Sequence, residues 1–192
     1  MVVFDYETGG TKDEHPNIQL AAAAVDDEWN ILTSFEMKIK FDEAMAEPEA
    51  LELNHYDRSV WEKEAKPIPY VLASFDSFLN DHKTVQMVSK RTGRPYSVCR
   101  LCGHNAVTFD MPRLKRMYGG RFLPAHPIVF DTIQLCLWYF RGRVKQPENY
   151  QLKTLLDFLG IPFPDAHDAI ADVKATVLLA QALTRKEVPA CK

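Results

Sequence analysis

Val2-Val3-Phe4-Asp5-Tyr6-Glu7-Thr8-Gly9-Gly10 opens the chain with strand-forming residues, yet it carries two acids before it ends at a glycine pair. In an extended chain, residues two apart share a face, so Asp5 and Glu7 stand side by side after a strongly apolar start. Like charges that close are mutually unfavourable unless something cationic lies between them. A hard divalent ion with oxygen ligands is the simplest compensation; a solvated face is the plain alternative. Residues 18–25 (IQLAAAAV) form an apolar run of strand length, residues 26–30 a polar turn, and residues 31–40 (ILTSFEMKIK) alternate partly, as a half-buried strand does. Three strands in succession read as an antiparallel meander.

Beyond the meander the pattern becomes helical. Pro48 opens a short helix through Leu53, residues 59–64 add another turn, and residues 68–79 carry Val71, Leu72, Phe75, Phe78 and Leu79 on one stripe. Residues 85–90 and 96–101 flank Thr92-Gly93-Arg94-Pro95, which reads as a basic hairpin; its first arm could equally extend the preceding helix. A strand over 99–104 runs into the polar step Asn105, a helix over 111–118 stops at Gly119-Gly120, and a short strand at 128–130 precedes a helix over 132–140. Helices over 151–159 and 166–183 complete the chain. Strands first, then strand and helix in alternation, predict an α/β fold with a central mixed sheet and helices on its faces. No repeat or linker divides residues 1–184, so one domain is expected, with residues 83–98 as a hairpin insertion and residues 185–192 as a short tail.

Two further acid clusters stand at element ends. Asp110 sits where a strand gives way to a helix, a position in which aspartate is also a common N-cap. Asp172 lies among Ala169, Ile170, Val173 and Ala175 near the start of a helix that is otherwise apolar, and a carboxylate in that setting needs a partner or a metal. His167 precedes Asp172 by five residues, about 140° away on a regular helix. The two can serve one site if His167 lies in the first turn or the entering loop, which Pro164 favours.

With these residues in place, the chain closely resembles the DEDDh branch of the 3′–5′ exonucleases, on the ribonuclease H-like fold. Phe4-Asp5-Tyr6-Glu7-Thr8-Gly9 is similar to the family's first motif, with Gly9-Gly10 in place of its usual Thr-Gly ending. His104-Asn105 followed by Phe109-Asp110 is similar to the second, with one residue more between Asn and Phe than the commonest version. His167 and Asp172 match the third. Phe130-Asp131-Thr132, residues 152–161, and Ala50-Leu51-Glu52-Leu53-Asn54-His55 also fit, so the likeness spans nearly all of residues 1–184.

The resemblance implies a central five-stranded sheet and a phosphodiester hydrolase using two divalent cations, Mg²⁺ or Mn²⁺, about 3.5–4 Å apart. Asp5 would bridge the two ions, Glu7 and Asp172 would complete the site that activates water, and Asp110 would hold the second ion. His167 would be the general base, a role suited to an imidazole that titrates near neutrality. Tyr6, Thr8, Gly9, His55, His104, Asn105 and Phe109 are expected to contact the terminal nucleotides. Tyr6, Phe109, His55 and Trp61 could stack on bases, or could be ordinary core.

The net charge of −3 hides an uneven distribution: from Lys83 to Lys145 there are twelve Lys/Arg and two acids, while the rest of the chain is strongly acidic. Either these cations merely solvate helices and a hairpin, or they form a polyanion surface, with Lys90, Arg91, Arg94, Arg113, Lys115 and Arg116 as phosphate contacts. Single-stranded or frayed DNA is the expected substrate and nucleoside 5′-monophosphates the product. An exoribonuclease with the same site is the nearest rival, and a non-catalytic nucleic-acid-binding module a more distant one. A polymerase or repair protein is a natural partner. No apolar run approaches 18 residues, so neither a membrane span nor a secretory leader is expected and the protein reads as cytoplasmic. Cys99-Arg100-Leu101-Cys102 has CxxC spacing without a second pair, which favours reduced cysteines over a structural zinc.

Overall fold

The computed structural model describes residues 1–163 and 168–184. Val2–Thr8 (β1), Asn17–Val25 (β2) and Ile31–Lys38 (β3) form the expected antiparallel meander. Three helices follow, Pro48–Leu53 (α1), Arg58–Glu64 (α2) and Ile68–Asp81 (α3). Val85–Val88 (β4) and Pro95–Val98 (β5) pair antiparallel as a separate two-stranded hairpin, so the first basic arm is a strand and does not prolong α3. Leu101–Gly103 (β6), Asp110–Tyr118 (α4), Phe130–Asp131 (β7), Thr132–Phe140 (α5), Leu152–Leu159 (α6) and Ala169–Thr184 (α7) complete the described elements. β6 lies parallel to β1, and β7 parallel to β6, giving a mixed five-stranded sheet of order β3-β2-β1-β6-β7. No helix among the described residues is long and apolar enough to cross a membrane.

The strand expected over 99–104 is shorter than its hydropathy suggests. Cys99 turns away to bridge Ala125, its amide donating to Pro124 and its carbonyl accepting from His126, and pairing with β1 begins at Leu101. The last helix starts by Ala169, and the reading of its start at 166 falls on residues 164–167, outside the described residues.

β1 is central because both of its faces are covered. Val2, Phe4 and Tyr6 pack with Val71, Leu72, Phe75 and Leu79 of α3 and with Met111, Leu114 and Tyr118 of α4. Val3 on the other face packs with Ala21, Ala23 and Cys102 beneath Ala169, Val173, Val177 and Ala180 of α7. The alanines of β2 thus have a purpose: small side chains let α7 lie close to the sheet. α7 is apolar on two sides since Ala175, Leu179 and Leu183 meet Cys136, Phe140, Leu155 and Leu156 of α5 and α6. Burying a side chain as fully as Phe4, Phe75 or Leu79 contributes roughly 1.5–3 kcal/mol each.

Asp131 ties the parallel edge to the loop that precedes α4. Its carboxylate caps α5 by accepting from the Ile133 amide at 2.9 Å, and also accepts from the amides of Asn105 at 3.1 Å and Val107 at 3.0 Å. Replacing it strands three donors in a half-buried place. Asp131→Ala is therefore expected to lower unfolding stability by about 2–4 kcal/mol with an unchanged urea m-value, as read by equilibrium denaturation; a loss within 0.5 kcal/mol (the rough scatter of neutral surface substitutions) would remove Asp131 from this role.

Candidate active site

The pleat of β1 fixes the first two acids. Asp5 and Glu7 follow Val3 on the face that α7 covers, opposite Ala21 and Gln19 of β2. Asp172 enters from the first turn of α7, and carboxylate oxygens of Asp5, Glu7 and Asp172 all lie within 4.8 Å of one another. Asp110, at the first turn of α4, is almost fully buried and close enough for its charge to be felt at both Asp5 and Glu7. Folding therefore gathers four acids from three widely separated stretches of the sequence. His167 lies outside the described residues, between Phe163 and Asp168.

The electrostatics of the cluster follow from burial and mutual repulsion. Asp5 is held well above the ordinary carboxylate range, first by desolvation and then by the charges of Asp110, Glu7 and Asp172. Desolvation, followed by Asp172, Asp168 and Asp110, pushes Glu7 up to about 8. Asp110 rises to about 7 through burial, opposed by a hydrogen bond accepted from the Tyr6 backbone and by the Arg113 guanidinium. Glu7 Oε1 and Asp110 Oδ1 are buried without a hydrogen-bond partner among the described residues. Buried carboxylate oxygens left unpaired in a group of this kind suit hard divalent cations such as Mg²⁺ or Mn²⁺, so the residues fit the metals that the sequence implies.

The turn after β1 is locked by polar contacts. Thr8 Oγ1 donates to the Gly10 carbonyl at 2.9 Å, and the Thr8 carbonyl accepts from Asn54 Nδ2 at 2.8 Å. Gly9 donates to Pro16 and accepts from Glu47, and a Cβ there would sit 2.6 Å from that of Ala46. Arg113 closes the loop from beneath. Its guanidinium is buried, donating to the carbonyls of Gly10, Thr11, Lys12 and His15, and it also stacks on Phe109 at 4.4 Å. It is thus a clamp on the backbone, where the sequence suggested a phosphate contact.

The rings read as stacking surfaces divide into two groups. Tyr6 is buried in the sheet–α3–α4 core, edge-on to Phe4, and Trp61 is buried with its Nε1 donating to the Ile18 carbonyl at 3.2 Å. His55 is exposed and Phe109 half-buried. His55 lines a cavity of about 280 Å³ with Gln19, Lys38, Asn54, Asp57, Val60, Trp61 and Asp168. His104 is held inside: Nε2 donates to the Tyr150 carbonyl at 2.9 Å, so Nδ1 accepts from Thr132 Oγ1 at 2.8 Å in the neutral ring that burial favours. Asn105 is exposed, takes a left-handed backbone with φ 60°, and its carbonyl accepts from the amides of Thr108 and Phe109. His104 and Asn105 therefore shape the turn that delivers Asp110.

Three supporting residues, Gln19, Asn54 and Asp131, were not singled out by the sequence. Gln19 donates to Glu36 Oε1 at 2.8 Å and to Asp168 Oδ1 at 3.1 Å, fixing the residue next to His167. Its signal was readable, since it is the one polar residue in the run 18–25. Asn54 and Asp131 stood inside quoted segments, but their partners are distant in sequence. Cys99, Cys102 and Cys136 are free and buried; burial pushes the Cys99 thiol up to about 11 and raises Cys102 and Cys136 as well, in keeping with inert reduced thiols.

No family model matches the sequence, and no curated protein matches it. Solved structures of exonuclease I do match the fold. One, described as suggesting how processivity is achieved, is 21% identical with a TM-score of 0.74, covering 96% of this chain and 41% of that one. E. coli exonuclease I in complex with a dA16 oligonucleotide is 22% identical with a TM-score of 0.70, covering 94% of this chain and 39% of that one. A zinc-ion-bound form of the E. coli enzyme with single-stranded DNA gives 21%, 0.71, 94% and 39%. This chain thus spans about two-fifths of the length of those structures. The shared architecture is the ribonuclease H-like fold.

The cluster makes metal-free stability depend on pH. The folded protein keeps protons on Asp5, Glu7 and Asp110 that the unfolded chain releases near pH 4, so the cluster's contribution to stability is fully present below that point and is lost as pH climbs to about 8. In EDTA the melting temperature should drop between pH 5 and pH 8, and millimolar Mn²⁺ or Mg²⁺ should restore it at pH 8. A metal-insensitive melting curve at pH 8 would count against a cation site.

Proposed function

We propose that this protein is a 3′–5′ exonuclease that hydrolyses single-stranded or frayed DNA and releases nucleoside 5′-monophosphates. The observation that carries the reading is the convergence of Asp5, Glu7 and Asp172 within 4.8 Å, with buried Asp110 beside them and Glu7 Oε1 and Asp110 Oδ1 without a hydrogen-bond partner among the described residues. The likeness of the fold to exonuclease I, in structures with dA16 and dT13 oligonucleotides, supports single-stranded DNA as the substrate. Such ends are what a polymerase or a repair assembly would hand to the site, and an exonuclease I complex with SSB-Ct gives a precedent for a protein partner.

In this reading Asp5, Glu7, Asp110 and Asp172 hold two divalent cations. When bound, such ions lower the pKa of water and neutralise charge on a phosphate and its leaving oxygen. The protein's part is placement and proton transfer. β1 and α7 keep the carboxylates fixed on rigid elements, and the locked Thr8-Gly9 turn borders the terminal nucleotide. His167 takes a proton from the attacking water at a ring nitrogen. Water oxygen bonds to phosphorus, the bond from phosphorus to the preceding 3′ oxygen breaks, and that oxygen ends as a hydroxyl.

Degradation of 5′-labelled DNA and RNA of equal sequence, with and without Mg²⁺, tests polarity, sugar preference and metal need together. Ladders shortening from the 3′ end of DNA, abolished by EDTA and by Asp5→Ala, are expected; retained cleavage by Asp5→Ala would refute the site. His167→Ala should leave oligonucleotide binding intact while turnover falls by roughly two to four decades, and unchanged turnover would remove His167 as the base.

A further inference from the structure

The basic hairpin takes no part in the site just described. From Lys83 to Val98 the chain carries Lys83, Lys90, Arg91 and Arg94 and no acid. All four cations are exposed, and none has an ion-pair partner among the described residues. Unpaired surface cations gathered on one side of a small hairpin raise local positive potential and attract a polyanion. They also surround something unusual: a groove of about 910 Å³, near the top of the range for ligand sites of about 300–1,000 Å³.

The floor of that groove is aromatic and apolar. Tyr96 meets Phe122 edge-on with ring centroids 6.1 Å apart, and Met87 stands opposite Tyr96 in the β4–β5 register. Phe122 is 66% exposed and Val88 64% exposed. A large exposed ring flanked by unpaired cations is the combination that binds single strands without regard to sequence, the ring offering a face to a base and the cations tracking phosphates. A two-stranded hairpin is also marginal by itself; here Tyr96 on its second strand meets Phe122, and its last residue, Val98, is buried.

Topology sets where the groove lies. β5 leads into β6, which begins by pairing Leu101 with Val2, the end of β1 away from Glu7 and Thr8. α4 connects the two places: it starts at Asp110 in the carboxylate cluster and ends at Tyr118, about 13 Å further on, four residues before Phe122. Resting on the exonuclease reading above, we propose that this groove is a remote contact surface for the substrate, gripping single-stranded DNA upstream of the 3′ end that the carboxylates process. The cations suit any polyanion, and the exposed aromatic floor favours a nucleic acid over an acidic protein segment, because stacking bases are its natural complement.

Binding is measured by fluorescence anisotropy of 5′-fluorescein-labelled dT16, dT4 and rU16 in EDTA, where hydrolysis does not occur. The wild type is compared with a Lys90→Ala/Arg91→Ala/Arg94→Ala variant and with Phe122→Ala, each checked by circular dichroism. The triple variant should bind dT16 about tenfold or more weakly, with the slope of log affinity against log salt reduced by about 2, because each single-strand phosphate contact contributes about 0.7. Phe122→Ala should weaken dT16 roughly tenfold and leave that slope in place. The loss should appear with dT16 and be absent with dT4, which is too short to span both surfaces. Wild-type affinity and slope in the triple variant overturn the inference and leave the hairpin to a protein partner; a loss seen with rU16 and not dT16 overturns the choice of DNA. A wild type that binds dT16 through the hairpin yet degrades nothing in Mg²⁺ overturns the exonuclease reading alone.

Discussion

Mutual repulsion among carboxylates inside a packed protein is the interaction that the rest of this molecule accommodates. Unit charges about 4 Å apart near a protein surface repel by roughly 4 kcal/mol, and Asp5, Glu7 and Asp172 present oxygens within 4.8 Å of one another. A free chain would relieve that by moving them apart. It cannot here, because the acids ride on β1 and α7, whose other residues are committed to the core: Val3, Ala21 and Ala23 beneath Ala169, Val173 and Val177. The apolar packing holds the charges together, and proton uptake or a divalent cation is what remains to relieve them.

The polar neighbours act in support of that packing. Gln19 joins Glu36 and Asp168, Asn54 fixes the Thr8 carbonyl, Asp131 gathers three amides, and Arg113 clamps the loop after Gly9. Each connects a site-bearing element to a part of the chain distant in sequence. A site on strands and helices tied in this way varies little in geometry, which suits a reaction that depends on placement of charge.

That division explains what could be read from the sequence. The meander, the helix stripes and the acids at element ends were legible because each depends on local spacing: period two in β1, a stripe in α3, and a lone aspartate in the apolar start of α7. Gln19 carried a local signal as well, a polar residue in an apolar strand, but its meaning required Asp168, which stands 149 residues later. Arg113 was misread for the same reason. A cation next to Lys115 and Arg116 reads as surface charge, and only the folded loop reveals the carbonyls of residues 10–15 that bury it. Tyr6 and Trp61 could not be sorted into core or surface by type, since aromatic rings serve both.

The uneven charge along the chain has a physical sense in this geometry. Four carboxylates would balance two divalent cations in formal charge, so a site filled in the proposed way would have little net attraction left for a polyanion beyond one phosphate. On the exonuclease proposal, the remaining phosphates of a strand would need positive potential elsewhere, or the strand would be held at its end alone and leave after each step. The cations from Lys83 to Lys145 lie in the part of the chain that carries β4, β5 and α4, separate from β1 and α7. Keeping most of the bases on other elements leaves the acids close together and largely without cationic side chains, with Arg113 felt at Asp110. A lysine in the cluster would satisfy the carboxylates as a salt bridge and remove the need for a cation there; one on the hairpin does neither.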